Sequence, residues 1–256
     1  MHIIYNYKRM FEILAADHLT FIENIALLTI LTQQTERSED PDHLSGICVS
    51  GQKDIDRKII ENFIENKLFI ETSNTSEIFE YKNVNYNEIN NIIKISYASL
   101  IERKLNPKEI QEIQDAITLI QAKKLDALAL HISKTYEIPV EGSNKSLALL
   151  YHLISEYSLN DLLPLFHWEA RKTKKYTKKE RPKNYISGKL LFKNISLRIE
   201  KDKNLDLKNY WKLPSIIKTS PLEAIFSDIY LDEHVNWNSL SPKDIIAKLL
   251  KITDVI

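Results

Sequence analysis

The chain has 256 residues, of which 43% are hydrophobic and 27% are charged, so it is long enough for one large domain or for two or three small ones. It contains only 4 glycines; because phosphate-binding loops and tight β-turns both depend on glycine, this count excludes the familiar nucleotide-binding motifs and favours helices. The 35 basic residues balance 35 acidic ones, which excludes the overall basic excess of a dedicated nucleic-acid binder and leaves such binding to local patches.

Neither a disulfide nor a membrane anchor is expected. The single cysteine, Cys48, excludes an intramolecular disulfide and a multi-cysteine zinc site. Residues 1–11 hold Lys8 and Arg9 without a long apolar stretch after them, which is not the pattern of a signal peptide. No apolar run approaches the roughly 18 residues of a transmembrane helix. We therefore predict a cytoplasmic protein with no membrane-bound segment, no metal and no cofactor.

The first 85 residues contain the pattern of two helices followed by a hairpin. Thr20 and Glu23 form a capping box, in which each side chain pairs with the backbone N–H of the other residue, and this predicts a helix over 21–33. Apolar residues at helical spacing predict a second helix over 54–66. Two strand-like segments joined by a polar turn follow within 68–84.

A helix that runs directly into a two-stranded ribbon resembles the winged-helix fold, so we assign residues 1–85 to a winged-helix-like module. In that fold the helix before the ribbon is often the recognition helix, and the ribbon is the wing. Phosphate neutralisation dominates DNA binding, but this helix mixes acids with cations, and the tip of the wing, 73–77, carries no cation. The mixed charge favours a protein partner, with Arg57 and Lys58 as candidate partner-binding residues.

The module is similar to the small winged-helix accessory subunits of chromosome-maintenance (SMC) complexes. It is also similar to the non-ATPase components of SMC-like bacterial defence systems of the Lamassu type. The similarity rests on the helix-and-ribbon pattern and covers roughly the first third of the chain. It implies a non-enzymatic accessory subunit that docks onto other proteins of a larger DNA-handling or anti-phage defence complex.

Residues 86–170 are predicted to form a region made of helices. Apolar side chains recur at helical spacing in successive stretches, which begin at Ile89, Ile110, Leu125 and Leu147, and a further short helix is predicted over 159–169. A capping residue, a proline at the first helical position and an acid in the first turn mark the start of one helix here and of two later ones. These starts are Asn106-Pro107-Lys108-Glu109, Ser220-Pro221-Leu222-Glu223 and Ser241-Pro242-Lys243-Asp244.

A strongly basic segment follows, with eight basic residues between 171 and 183 against one acid, Glu180. We predict a loop or linker over 171–184. One interpretation is a solvated linker whose like charges repel one another. The other is that it follows a nucleic-acid backbone, DNA or RNA, with an aromatic ring stacking on a base. The candidate nucleic-acid-binding residues are Arg171, Lys172, Lys174, Lys175, Tyr176, Lys178, Lys179, Arg181 and Lys183.

The remaining residues, 185–256, are predicted to form a small α+β region. Ile195, Leu197 and Ile199 alternate with polar residues, which is typical of a half-buried strand. Trp211 and Trp237 are candidate anchors in a core or a protein interface, because large aromatic side chains dominate the energetics of both. The predicted fold class of the whole chain is mainly α, with α+β elements at both ends.

No catalytic motif stands out, and the leading interpretation is the non-enzymatic accessory subunit. One alternative is a winged-helix transcriptional regulator that binds DNA through the first module. A second is a metal-dependent nuclease, because Glu80 and Lys82 share one face of the predicted second wing strand. Asp54 or Asp56 would then supply a second carboxylate. The histidines are scattered and include no pair at metal-ligand spacing.

Overall fold

The computed structural model describes residues 2–36, 48–72, 86–138, 140–141, 147–180, 186–201, 211–231 and 235–253. Helices dominate these residues, so the prediction of a mainly α protein is confirmed. The helices are α1 (Tyr7–Ala15), α2 (Phe21–Glu36), α3 (Lys53–Glu65), α4 (Tyr86–Glu102), α5 (Pro107–Thr135), α6 (Leu147–Glu156), α7 (Leu159–Glu180), α8 (Gly188–Lys201), α9 (Pro221–Tyr230) and α10 (Pro242–Thr253). Short strands are β1 (His2–Tyr5), β2 (Phe69–Thr72), β3 (Val140–Glu141) and β4 (Ile186–Ser187), and a 3₁₀ turn covers Trp237–Ser239.

The predicted helix starts are confirmed by their capping hydrogen bonds. Thr20 Oγ1 accepts from the Glu23 N–H at 3.3 Å, and Glu23 Oε2 accepts from the Thr20 N–H at 2.7 Å. The three starts with proline at the first helical position make the same exchange between their capping residue and the acid three residues later. Local sequence alone therefore determines where α2, α5, α9 and α10 begin.

The chain divides into two compact units. The first contains residues 1–113, 219–233 and 250–256, and the second contains residues 114–218 and 234–249. Both units are discontinuous in sequence, whereas the four segments predicted above are continuous stretches. Among the described residues no helix is both long enough and apolar enough to cross a lipid bilayer.

Helix α2 is the centre of the first unit. Its residues 24–31 are all buried, and it packs against α4 and α9. The ring of Phe21 meets those of Phe226 and Tyr230 at 6.1 and 5.4 Å between centroids. The buried amide of Asn24 in α2 bonds to hydroxyl groups of α4, which satisfies a polar group that would otherwise be costly to bury.

The start of the predicted wing is present, and it pairs with a strand that the sequence did not predict. Helix α3 leads directly into β2, as predicted, and β2 pairs antiparallel with β1 in a register that joins Tyr5 to Phe69. The expected second wing strand, at 78–81, lies outside the described residues. The winged-helix assignment therefore stays a prediction.

Asp56 fixes the segment that leads into α3. One carboxylate oxygen accepts from the Val49 N–H at 3.2 Å, and the other accepts from the Ser50 N–H and Ser50 Oγ at 2.7 and 2.5 Å. These bonds satisfy buried backbone donors, which explains an acid at this position without a metal.

In the second unit, α7 packs against α8 and the 3₁₀ turn, and α6 also packs against α8. The core of the second unit includes Ile132 from α5, Phe166 from α7 and Ile195 from α8. Strands β3 and β4 form a two-residue parallel pair, Val140 opposite Ile186 and Glu141 opposite Ser187.

Two predictions for this region were wrong. The basic residues from 171 to 180 are not a loop but the second half of α7, which begins at Leu159. Lysine and arginine are good helix formers, and the buried first half of the helix anchors the rest. The strand predicted around Ile195 is part of α8. Ile195 and Ile199 are one helical turn apart and face the core, while Leu197 between them is exposed.

Replacing Asp56 by alanine should destabilise the first unit. The change leaves two buried backbone N–H groups without their acceptor, and we expect a loss of about 3 kcal/mol in the free energy of unfolding. Chemical denaturation of the full chain, followed by circular dichroism, measures the loss. The matched control is Glu65→Ala, an exposed acid on the same helix, which should change stability by less than about 0.5 kcal/mol. Equal effects of the two substitutions would contradict the role given to Asp56.

Candidate nucleic-acid interface

Helix α7 presents one apolar face and one cationic face. Leu162, Leu165, Phe166 and Ala170 are buried against the rest of the second unit. Four exposed residues follow one another at helical spacing on the opposite face: Trp168, Arg171, Lys172 and Lys175. Side chains three and four positions apart are neighbours on a helix, so this cationic face is a continuous strip along α7.

Trp168 connects the strip to the neighbouring helix. Its ring, 40% exposed, lies under the Arg198 guanidinium of α8, whose Cζ is 3.4 Å from the ring centroid. Lys172 Nζ lies 5.0 Å from the same centroid. Contacts of this kind are worth about 0.5–2 kcal/mol each, depending on how far they are desolvated. The tryptophan thus holds two cations beside each other at the surface.

A second ring holds the next cation along the strip. Trp211 stacks on His167 with 4.0 Å between ring centroids and 11° between ring planes, and the Arg171 guanidinium lies 4.6 Å from the Trp211 centroid. Arg171 Nε also donates to Tyr136 Oη at 3.1 Å. Arg171 is therefore exposed yet fixed by two contacts.

The hydrogen bonds around His167 agree with a neutral imidazole. Tyr136 Oη lies 3.1 Å from His167 Nδ1, and a phenol that accepts from Arg171 has its own proton left to donate to that nitrogen. Burial lowers the pKa of His167, and the nearby charges of Arg171 and His131 lower it further. The ring acts as a stacking surface for Trp211 rather than as a fourth cation.

One acid, Glu169, is buried beneath the cationic strip. The residue is only 2% exposed, and its Oε2 atom has no hydrogen-bond partner. Burial raises the pKa of Glu169, while the charges of Lys172 and Arg198 act in the opposite direction. The effect of burial on the pKa therefore exceeds the opposite effect of the two cations. It follows that the folded state is less stable when the Glu169 carboxyl group is ionised than when it is neutral.

The structure brings together four of the predicted nucleic-acid-binding residues. Arg171, Lys172 and Lys175 lie on the strip, and Lys174 forms an ion pair with Glu137, 3.2 Å between Nζ and Oε2. Tyr176, Lys178 and Lys179 belong to α7 by their backbone, but their side chains lie outside the described residues, as do Arg181 and Lys183 entirely.

The contacts that hold these cations were not predicted from the sequence. Tyr136 follows α5, Trp168 lies on α7 and Arg198 lies on α8, and the histidines were considered only as possible metal ligands. Trp168 lies three positions before Arg171 and four before Lys172, a spacing that places the ring beside both cations if all three residues are in one helix. Because residues 171–184 were predicted to be a loop, this spacing did not indicate a contact.

The predicted partner-binding residues are separated by the fold. Trp211 is half-buried beside the strip, where it contacts His167 and Arg171. Trp237, by contrast, is 2% exposed, so it contributes to the core of the second unit and not to an exposed surface. Arg57 and Lys58 are exposed on α3 in the first unit, where Arg57 Nε pairs with Glu61 Oε1 at 2.7 Å.

Two further observations bear on the nuclease interpretation: the possible metal ligands among the described residues, and the comparison with known proteins. Within the described residues, no three histidine, cysteine or acidic side chains cluster in a way that would hold a metal ion. Glu80 and Lys82, the centre of the nuclease interpretation, lie outside those residues, and the Asp56 carboxylate is occupied by backbone donors. Comparison with protein-family models, with curated proteins and with solved structures finds no match.

Replacing Glu169 by glutamine should stabilise the protein at neutral pH. Because the folded-state pKa is raised above the ordinary 4.5, the stability associated with this group is fully present below that value and is lost as the pH rises through the raised pKa. The neutral amide avoids that loss. We expect a higher denaturant midpoint than wild type at about pH 8, with the difference shrinking towards about pH 4.

The control for this prediction is Glu200→Gln, an exposed acid on α8. It should leave the dependence of the midpoint on pH unchanged. A Glu169→Gln midpoint that stays below wild type at every pH would show that the carboxylate is needed in its charged form, contrary to the prediction.

Proposed function

We propose that this protein is a non-catalytic accessory subunit that contacts nucleic-acid phosphates through the cationic strip of α7 and docks onto other proteins. The observation that carries the proposal is the row of exposed cations on one helical face, held beside Trp168 and Trp211. A DNA-handling or anti-phage defence assembly is the setting that we propose for it. The resemblance of the first 85 residues to accessory subunits of SMC-like complexes supports that setting.

The positive charge of the strip is local. The chain as a whole has zero formal net charge, yet residues 171–180 hold six cations and one acid. Lys174 is paired with Glu137, so among the described side chains of α7 the strip offers Arg171, Lys172 and Lys175 to an external anion. A polyanion that neutralises them releases its condensed counterions, and this release drives protein binding to nucleic acids.

The rings beside these cations favour contact with phosphates over contact with bases. The Arg198 guanidinium, 3.4 Å from the Trp168 centroid, covers a face of that ring, and His167 covers a face of Trp211. Stacking of a base on either covered face would first require displacement of the protein's own group. Arg171 and Lys172, in turn, are already held against these rings, so binding costs less side-chain entropy than it would for free lysines. We therefore expect the strip to bind nucleic acid without regard to the nucleotide sequence.

Docking to proteins is supported by the surfaces of the first unit. Helix α3 mixes acids and cations, with Arg57 and Lys58 exposed, which suits a protein partner better than a DNA groove. On one face of helix α4, Tyr97 and Ile101 lie one helical turn apart and are 42% and 48% exposed. Apolar side chains grouped on an exposed helix are a common feature of interaction sites.

Neutralising the strip should weaken nucleic-acid binding. In the triple variant Arg171→Gln, Lys172→Gln, Lys175→Gln, we expect lower affinity for labelled single- and double-stranded oligonucleotides, measured by fluorescence anisotropy across a salt series. The slope of log affinity against log salt should become shallower by about 0.7 per lost contact on a single strand and about 0.9 on a duplex. Two oligonucleotides of unrelated sequence should be affected equally.

The matched control removes the same charge elsewhere. Lys94, Lys104 and Lys251 are exposed lysines outside the second unit, and their replacement by glutamine should leave most of the affinity intact. The pair Arg57→Gln, Lys58→Gln tests the transcriptional regulator instead. Loss of binding in that pair, with no loss in the strip variant, would favour a winged-helix DNA reader and overturn the proposal.

A further inference from the structure

A groove of about 520 Å³ opens in the first unit, where the corner between β1 and α1 meets the start of α4. Both aromatic and charged side chains line it. The side chains that matter here are Tyr5, Tyr7, Phe11, Lys8, Glu12 and Glu88. The volume falls within the range of about 300–1,000 Å³ that is usual for small-ligand sites. We call this site the aromatic groove.

The walls of the aromatic groove are fixed by the fold. The Asn6 N–H donates to the Leu68 carbonyl at 2.9 Å, and the Asn6 amide donates to the Lys67 carbonyl at 3.0 Å. The same side chain caps α1 by accepting from the Arg9 N–H at 3.2 Å. This corner therefore holds the end of β1 and the start of α1 in one arrangement, and the groove is preformed.

The rings of the groove are ordered against one another. Tyr5 and Tyr7 are nearly parallel, with 12° between ring planes and 6.1 Å between centroids, and Tyr5 also meets Phe69 edge-on at 5.2 Å. Phe11 lies one helical turn after Tyr7 on α1, so both rings are on the same side of that helix. Tyr5 is only 7% exposed, so the half-buried rings of Tyr7 and Phe11 present the faces that a ligand can reach. Aromatic faces carry negative electrostatic potential and attract cations.

The charged groups around the groove strengthen that preference. Glu12 and Glu88 contribute two carboxylates, and Lys8 contributes one ammonium group. Glu12 shares its charge with Arg9, whose Nη1 is 3.3 Å away. Glu88, on the exposed first turn of α4, therefore provides the main negative charge, and Lys8 opposes it.

We propose that the aromatic groove binds an alkylammonium group, such as a lysine side chain of a partner protein or a choline-like small molecule. Aromatic faces beside a carboxylate recognise such a cation through its charge and its apolar substituents together. A neutral ligand would use the rings but gain nothing from Glu88. This site lies in the first unit and does not depend on the nucleic-acid contact proposed for α7.

The first test compares two ligands of the same shape. Choline and its neutral isostere 3,3-dimethylbutan-1-ol are titrated against the full chain, and binding is followed by ligand-observed NMR. We expect choline to bind about 2- to 30-fold more tightly than the alcohol, the range that corresponds to a cation over aromatic rings. Equal affinities for choline and the alcohol would overturn the proposal. So would a result in which neither choline nor Nα-acetyl-lysine amide binds detectably.

The second test uses two charge variants that should act in opposite directions. Glu88→Gln removes the main negative charge and should weaken choline binding by up to about 5-fold, as for an exposed ion pair. Lys8→Gln removes the competing ammonium and should strengthen binding by a similar factor. The controls, Glu65→Gln and Lys53→Gln, make the same changes at exposed positions of α3 and should leave affinity unchanged.

The two sources of the ammonium group are separated by a third titration. Nα-acetyl-lysine amide presents a lysine side chain with a peptide-like backbone. Tighter binding of this compound than of choline would identify a partner protein as the source, and the reverse order would identify a small molecule. Changes in the same direction in Glu88→Gln and Lys8→Gln, with normal circular dichroism, would show that charge does not govern the site and would overturn the proposal.

Discussion

The position and the charge of the cationic strip depend on the side chains that α7 buries on its other face. Phe166 and Ala170 hold that face in the core of the second unit, but Glu169 is buried beside them. Its carboxyl group is close enough to Lys172 and Arg198 for their charges to act on it, so the acid and the exposed cations form one electrostatic system. If the acid is neutral, the full positive charge of the strip faces solvent; if it is ionised, part of that charge is compensated from below.

The two Trp residues that face solvent explain why lysines and arginines can be densely placed on one helix. Like charges three and four positions apart repel one another, and attraction to an aromatic ring offsets part of that repulsion for Arg171, held over Trp211, and for Lys172, held over Trp168. The rings come from α7 itself and from the segment after residue 210. The strip is therefore a tertiary feature and not a property of the helix alone.

Most of the helices were predictable, because capping residues and apolar periodicity act over a few positions. The start of α9 at Ser220 needed nothing beyond its own four residues. The errors arose where two local patterns compete. Ile195, Leu197 and Ile199 alternate as in a strand, yet Ile195 and Ile199 also fit one helical face, and only packing against α6 and α7 decides between these. The aromatic partners of the cations were unpredictable for a related reason, since Tyr136 and Trp211 are 75 positions apart in sequence and meet His167 and Arg171 only in the folded chain.

The division of the chain has a consequence for its synthesis. Phe21 of α2 packs against Phe226 and Tyr230 of α9, and the Tyr230 hydroxyl donates to the Leu100 carbonyl at 2.7 Å. The core of the first unit therefore lacks these rings until the chain has been synthesised beyond residue 230. Contacts between such distant positions form slowly, and the incomplete core keeps apolar surface of α2 exposed in the meantime. The nascent chain thus has an extended interval in which chaperones or a cotranslationally assembling partner have access to the same apolar surface that α9 later covers.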